Sequence, residues 1–166
     1  MQSQLKIKLE KFDRTFLKKT FLWIQDTELR NDFLLTLSVD VQTHEKWYNN
    51  YIEDQTQNIY AIVANGIHVG NIGLKFIDLS NNNAETWIYI GDASYKGQGV
   101  AYKSYQELFN KISHLKLNKI YAHVADFNLS SLKLYEKLGF ELEGTLRKQV
   151  RLNDQYIDLI RLSIFL

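Results

Sequence analysis

Cysteine and proline are both absent from the 166 residues. Without cysteine there is no disulfide, no thiolate nucleophile and no Cys-ligated metal site, which fits a reducing compartment. Average usage of about 5% would supply several prolines, so turns must rest on Gly, Asn and Asp. Charge excess is missing too: 20 Lys and Arg face 19 Asp and Glu, a formal net charge of +1. No global field would then hold the chain to nucleic acid or a membrane, and the expected partner is a small ligand. No run approaches the ~18 apolar residues of a membrane span. The first ten residues alternate in charge where a secretory leader would be apolar. The expectation is a cytoplasmic protein with neither nucleic acid nor membrane as partner. The loops G-x-x-x-x-G-K-[ST] and G-x-G-x-x-G are also missing, which argues against a P-loop enzyme and a dinucleotide Rossmann unit.

What is present suits one compact domain over residues 1–166, since 45% hydrophobic and 13% aromatic residues can fill a substantial core. Leu5, Ile7 and Leu9 alternate with Lys6 and Lys8, a period of two that predicts a half-buried first strand. Asp13 is placed to cap a short helix, and Asp26-Thr27 to start a second before Arg30. Thr43 precedes His44, Trp47, Tyr48, Tyr51 and Ile52, a spacing that predicts one apolar helix face ending near Asp54. Asn65-Gly66 between the runs 58–64 and 67–77 signals a hairpin, and Asn81-Asn82-Asn83 a second before a strand at 84–90. A helix over 99–115, a strand over 119–125, a helix over 129–138 opened by Asn128 and closed by Gly139, and strands over 140–151 and 156–165 complete the chain.

Between the strand ending at Ile90 and the helix at 99 stands Gly97-Gln98-Gly99. Free backbone N–H groups at a helix N-terminus make an anion site, which suggests a phosphate-bearing cofactor; two glycines on their own are more often a plain turn. The whole constellation resembles the GNAT acetyltransferase superfamily, whose acetyl-CoA loop reads Gln/Arg-x-x-Gly-x-Gly/Ala. Here it is Lys96-Gly97-Gln98-Gly99-Val100-Ala101, and the segment from Asn128 through Ser131 and Tyr135 to Gly139-Phe140 is similar to a later stretch of that superfamily. The resemblance implies a mixed α/β (α+β) single-domain GNAT fold: a mostly antiparallel seven-stranded sheet splayed between strands 4 and 5, with about four flanking helices. It implies acetyl-CoA as cofactor, its pantetheine arm bonded by backbone of Ile88 and Ile90, with Asn128, Ser131 and Tyr135 nearby. Lys96 departs from the usual Gln or Arg; it keeps the charge but cannot fork onto phosphate oxygens, so backbone amides should do most of the binding.

Amine acetylation needs a base, an oxyanion donor and a proton for the thiolate, because an alkyl ammonium with pKa ~10.4 cannot attack near neutral pH. A backbone N–H near Ile90 is the expected oxyanion donor. Tyr135 is the candidate acid, two turns beyond Asn128 on a face shared with Ser131; a core aromatic is the alternative. Ser131 is the second candidate acid, or else a residue bonded to backbone in the first turn. Glu85 shares a strand face with Trp87 and Tyr89, so it is read as a base in an apolar setting or as half of a structural ion pair. His123 is read as a proton relay or as a satisfied structural histidine. Asp158 in the last strand needs a partner, with Arg147 and Arg151 nearest across the hairpin. His44, His68 and His114 lack metal-ligand spacing, so no metal is expected.

The segments 21–30 and 43–47 resemble the GNAT branch of ribosomal-protein N-terminal acetyltransferases and that of pseudaminic-acid-type amino-sugar acetyltransferases. The stretch 135–147 is nearer the amino-sugar enzymes, which points to a nucleotide-linked amino sugar as acceptor, with Trp23, Trp47 and Tyr48 stacking on it or simply filling core. A peptide N-terminus is the alternative acceptor, and a non-catalytic CoA-binding module the alternative class. A monomer or homodimer is expected.

Overall fold

The computed structural model describes residues 5–166; of the ten opening residues read above, 1–4 lie outside it. Strand β1 (Ile7–Lys11) buries Leu9. Asp13 caps α1 (Arg14–Trp23) by accepting from Thr15 N–H, and Asp26 caps α2 (Thr27–Asp32) by accepting from Leu29 N–H. Helix α3 (Val41–Glu53) starts ahead of the expected Thr43, because Asp40 is the cap and accepts from Thr43 N–H at 2.7 Å. Such a cap contributes roughly 0.5–2 kcal/mol. His44, Tyr48 and Tyr51 are buried along α3, but Ile52 is 58% exposed, so the apolar face is narrower than its spacing suggested.

Strands β2 (Asn58–Ala64), β3 (Ile67–Asp78) and β4 (Asn83–Ile90) form the meander. Asn65 and Gly66 both take positive φ, 49° and 84°, as a tight hairpin turn matched to strand twist requires. There follow α4 (Val100–Ile112), β5 (Lys119–Ala125), α5 (Leu129–Lys137), β6 (Glu141–Leu152) and β7 (Gln155–Phe165). The chain from Arg14 to Asp32 counts as two helices, which makes five α-helices where about four were implied.

The seven strands lie in the order β1-β2-β3-β4-β5-β7-β6, and every pairing is antiparallel except β4 with β5. That parallel pairing lasts only from Asn83↔Lys119 to Glu85↔Tyr121. Beyond it β4 stays on β3 as far as Ile90, and β5 stays on β7 as far as Ala125. Each arm keeps one ladder and loses the other, so the implied splay opens at Thr86.

One face of the sheet is covered by α4, whose Val100, Tyr105, Leu108 and Ile112 pack with Ile72, Leu74, Ile88, Ile120 and Ala122. The other carries Phe12, Leu17, Tyr48, Tyr51 and Ile59. Fully burying side chains of this size stabilises by roughly 1.5–3 kcal/mol each. Helix α5 ends in a Schellman cap: Gly139 at φ 89° donates to Glu136 O and Phe140 N–H donates to Tyr135 O, both at 2.9 Å. The cap also sets the Tyr135 and Phe140 rings 4.9 Å apart. The Tyr…Gly-Phe stretch is therefore the device that stops α5 and holds Tyr135 in the core.

Asp158 pairs with neither arginine. Its Oδ1 accepts from Lys148 N–H at 2.6 Å, where the β6 register breaks between Leu146 and Val150, and Arg151 turns to Asp154. The carboxylate finds its donor in the backbone of that bulge.

Candidate active site

Downstream of β4 the backbone makes a short 3₁₀ turn at Ala93–Tyr95 and then takes φ 73° at Gly97 and 76° at Gly99. A Cβ at either glycine would meet nothing within 4 Å, so their use is conformational: they bring the backbone left-handed into α4. Gly99 is the N-cap of α4 and no side chain caps that end. The first-turn amides are thus open to an anion. A cleft of about 440 Å³ lies over this end, lined by Ile88, Ile90, Lys96, Gly97, Gly99, Val100, Ala101, Asn128 and Ser131 among others. Gln98 is the loop residue turned away, with its Nε2 donating to Ser94 O. Lys96 Nζ stands 3.6 Å from Glu28 Oε2 on α2, an exposed pair of small energetic weight.

A second cleft of about 350 Å³ adjoins the first and holds Glu85, His123, Ser131 and Tyr135. The two share Asp32, Phe33, Ile88, Asn128 and Ser131, and they meet where β4 and β5 part. Tyr135 thus lines the second cleft and not the one over the α4 N-terminus.

Glu85 is 7% exposed, and both Lys75 Nζ and His123 Nδ1 stand 3.2 Å from its Oε1. Lys75 faces it directly in the β3 register, and His123 is two residues past its β5 partner Tyr121. Among the described residues no hydrogen bond reaches Glu85 Oε2. His123 Nε2 is buried with no partner, so the satisfied-histidine reading fails on that atom. The structural ion pair is present, and it belongs to the cleft.

Tyr135 is 4% exposed, and its hydroxyl lies 2.8 Å from that of Tyr105. Burial pushes the phenols of both well above the ordinary tyrosine range. Ser131 N–H donates to the Asn128 cap at 3.2 Å, which sets Ser131 on the border of the two clefts. Tyr89 is turned into the core, where Asn71 Nδ2 stands 2.6 Å from its hydroxyl and burial pushes its pKa up to about 12.

Of the aromatics proposed for stacking Tyr48 is buried, Trp23 and Trp47 are half-buried, and none of the three lines either cleft. Trp23 lies against the backbone of Gly91, and Trp47 stacks between His44 and Tyr51 at 5.3 and 6.0 Å. The aromatic at the junction is Phe33, edge-on to Trp87 and Tyr89 at 6.4 and 5.3 Å. Phe33 and Asp32 had no signal in the sequence, because only the fold carries the end of α2 across the mouth of the split. Asp32 has its carboxyl raised, first by burial and then by the neighbouring charge of Glu28.

A split sheet with an uncapped helix N-terminus at one end and a buried tyrosine and Glu–His contact at the other defines a class. It is an α/β domain whose cleft runs from an open helix N-terminus to the point where two strands of the sheet part. Residues 6–141 match the acetyltransferase (GNAT) domain family, and the chain belongs to that family. It is 31% identical over 119 residues to spermidine N(1)-acetyltransferase of Escherichia coli (strain K12). That match covers 71% of this chain and 63% of the relative, so less than two thirds of that protein's length is matched. Ribosomal-protein-serine acetyltransferase of E. coli (strain K12) is 25% identical over 148 residues, 89% of this chain and 78% of that protein. Among solved structures, spermidine N-acetyltransferase from Vibrio cholerae in complex with CoA and spermine superposes with TM-score 0.89 at 25% identity, covering 96% of this chain and 95% of that one.

Proposed function

We propose that this chain transfers the acetyl group of acetyl-CoA to a primary amine of a polyamine-like cation, by direct attack within a ternary complex. The observation that carries the reading is the meeting of two clefts at the split, one ending on the uncapped α4 and the other holding Glu85, His123 and Tyr135. Acetyl-CoA supplies the thioester and a thiolate leaving group. Glu85, with His123 as relay, takes the proton that the ammonium must lose. Tyr135 gives a proton to the thiolate, while Ser131 and Asn128 shape the border between donor and acceptor.

The acceptor reading departs from a nucleotide-linked amino sugar for two reasons. Trp23, Trp47 and Tyr48, the rings that would have stacked on a base or sugar, are packed against other rings and line neither cleft. Asp32 at the junction and Glu85, beside Lys75, line the acceptor side, and a cation gains from those carboxylates. The similarity to spermidine N-acetyltransferases supports the same choice. A peptide N-terminus is the second reading, favoured by the match to a ribosomal-protein acetyltransferase along 89% of the chain.

The test is thiol release from acetyl-CoA with spermidine, spermine, a nucleotide-linked amino sugar and a serine-starting peptide offered in parallel. The expected result is the highest kcat/KM with a polyamine. A preference for the sugar or peptide overturns the acceptor, and tight acetyl-CoA binding without turnover overturns the enzyme. Tyr135→Phe is expected to lower kcat while leaving the KM for acetyl-CoA nearly unchanged.

A further inference from the structure

Three hydroxyls from separate elements form a line inside the core. Thr86, the first residue of β4 beyond its pairing with β5, donates to Gly73 O at 3.0 Å. Its Oγ1 lies 3.1 Å from the hydroxyl of Tyr105 on α4, which lies 2.8 Å from the hydroxyl of Tyr135 on α5. Thr86 is 2% exposed, Tyr105 0% and Tyr135 4%; Thr86 and Tyr135 border the second cleft, and Tyr105 between them touches neither cleft. Each hydroxyl owns one proton, and three bonds must share three protons. A carbonyl can only accept, which fixes the direction of every bond. Thr86 gives its proton to Gly73, Tyr105 to Thr86, and Tyr135 to Tyr105. At rest the line draws the Tyr135 proton away from the cleft and leaves only lone pairs toward it. An acid that keeps its proton turned inward cannot deliver it without a rearrangement.

We propose that Tyr105 is a positioning residue that makes Tyr135 an acid by reversing this line when the proton leaves. The inference rests on the role given to Tyr135 above. As the C–S bond of the thioester breaks, its electron pair goes to sulfur; the Tyr135 hydroxyl turns its proton from Tyr105 to the sulfur, its O–H bond breaks and an S–H bond forms. The Tyr135 phenolate is then left in a buried setting where an unpaired charge is costly. Tyr105 turns its proton from Thr86 to that oxygen, and Thr86 turns its own from Gly73 to Tyr105. The one group that gives up a bond is the Gly73 carbonyl, in the middle of the sheet between Ile59 and Trp87. Tyr135 recovers its proton from water as the thiol departs, and the line returns to its resting direction. Tyr105 was silent in the sequence, where it reads as one more apolar position of α4.

The test is a set of variants assayed with acetyl-CoA and spermidine, with melting temperature measured on each. Tyr105→Phe keeps the ring and removes the donor, and kcat is expected to fall roughly 10- to 100-fold, the range for a bond to a charged group. The KM for acetyl-CoA stays within about twofold, because the residue touches neither cleft. In a Tyr135→Phe background the same change has no further effect on kcat. Thr86→Val keeps the shape of a residue that borders the second cleft. It removes the resting acceptor of Tyr105 and the far donor of the reversed line but leaves the Tyr105 proton for the phenolate, so its loss is expected to be at least about fivefold smaller than that of Tyr105→Phe. An unchanged kcat in Tyr105→Phe overturns the proposal, and so does an equal loss with and without Tyr135. If Tyr105→Phe does not fold, Thr86→Val decides: a loss as deep as that of Tyr135→Phe overturns the proposal and a clearly smaller one supports it. Wild-type kcat in Tyr135→Phe overturns the acid itself, whereas a slow Tyr135→Phe with an additive Tyr105→Phe overturns the hydroxyl line alone.

Discussion

Gly91→Ala tests how the donor-side wall is held. Gly91 follows the last residue of β4, and its N–H and that of Asp92 both donate to Val69 O, at 2.9 and 3.0 Å. A Cβ here would fall within 2.5 Å of three atoms of the Trp23 ring. The backbone at this position is not left-handed, so the glycine is required by close approach alone. Trp23 cannot give way easily, because His68 at 4.7 Å and Tyr89 at 6.3 Å stand on its other sides. Overpacking of this kind costs about 1–3 kcal/mol. For a chain of this size each kcal/mol lowers the melting temperature by roughly 2–4 °C, so a drop of about 4–8 °C is expected for a cost near 2 kcal/mol. The KM for acetyl-CoA should rise as well, since Ile88 and Ile90 on the same strand line the donor cleft. Thermal unfolding followed by circular dichroism, repeated in a Trp23→Leu background, isolates the cause. With the ring gone the alanine should cost nothing, or stabilise by about 0.4–1 kcal/mol through the unfolded state. A melting temperature within a degree of the parent, or an equal loss in both backgrounds, would refute the close-approach argument.

Glu85→Gln keeps shape but removes the carboxylate from Lys75 and His123; kcat should fall roughly 10²- to 10⁴-fold and the acidic limb of the pH–rate profile should disappear. A profile that keeps that limb places the base on another group. His68 has its imidazole held below the ordinary histidine range, by burial first and by the Lys19 charge as well, despite the contact to Asn71 Oδ1. The folded state therefore binds fewer protons than the unfolded chain as pH falls through about 6.5, so the stability is complete above that value and declines below it. Urea midpoints at pH 7.5 and 5.5 should draw closer together in His68→Gln, and an unchanged gap would remove His68 from the acid sensitivity. His44, depressed by burial in the same direction, should retain part of the gap.

Local chemistry was readable wherever partners are three or four residues apart. Asp13, Asp26 and Asn128 cap the helices they were expected to cap, Asn65-Gly66 turns the hairpin, and β5 spans the residues its pattern predicted. The one start misplaced, at α3, lay among competing caps, and Asp40 prevails over Thr43 because its carboxylate reaches the Thr43 amide. The glycine loop and the Asn128-to-Phe140 stretch were enough to indicate the family and the donor end of the site.

Partners far apart in the chain were not readable. Asp158 was assigned an arginine by charge alone, and a bulge whose register no pattern encodes supplied a backbone amide in its place. Trp23, Trp47 and Tyr48 had the composition of a stacking surface, and packing set all three against other side chains away from both clefts. By itself the sequence determined the elements, their order and the phosphate-end loop, because those depend on torsions and hydrogen bonds within a few residues. Only the tertiary structure decided which carboxylates line the second cleft, what stands beside Glu85, and that the Tyr135 hydroxyl lies against that of Tyr105. Those depend on β3, β4, β5, α2, α4 and α5 converging at a split whose opening is set by where two strands stop pairing.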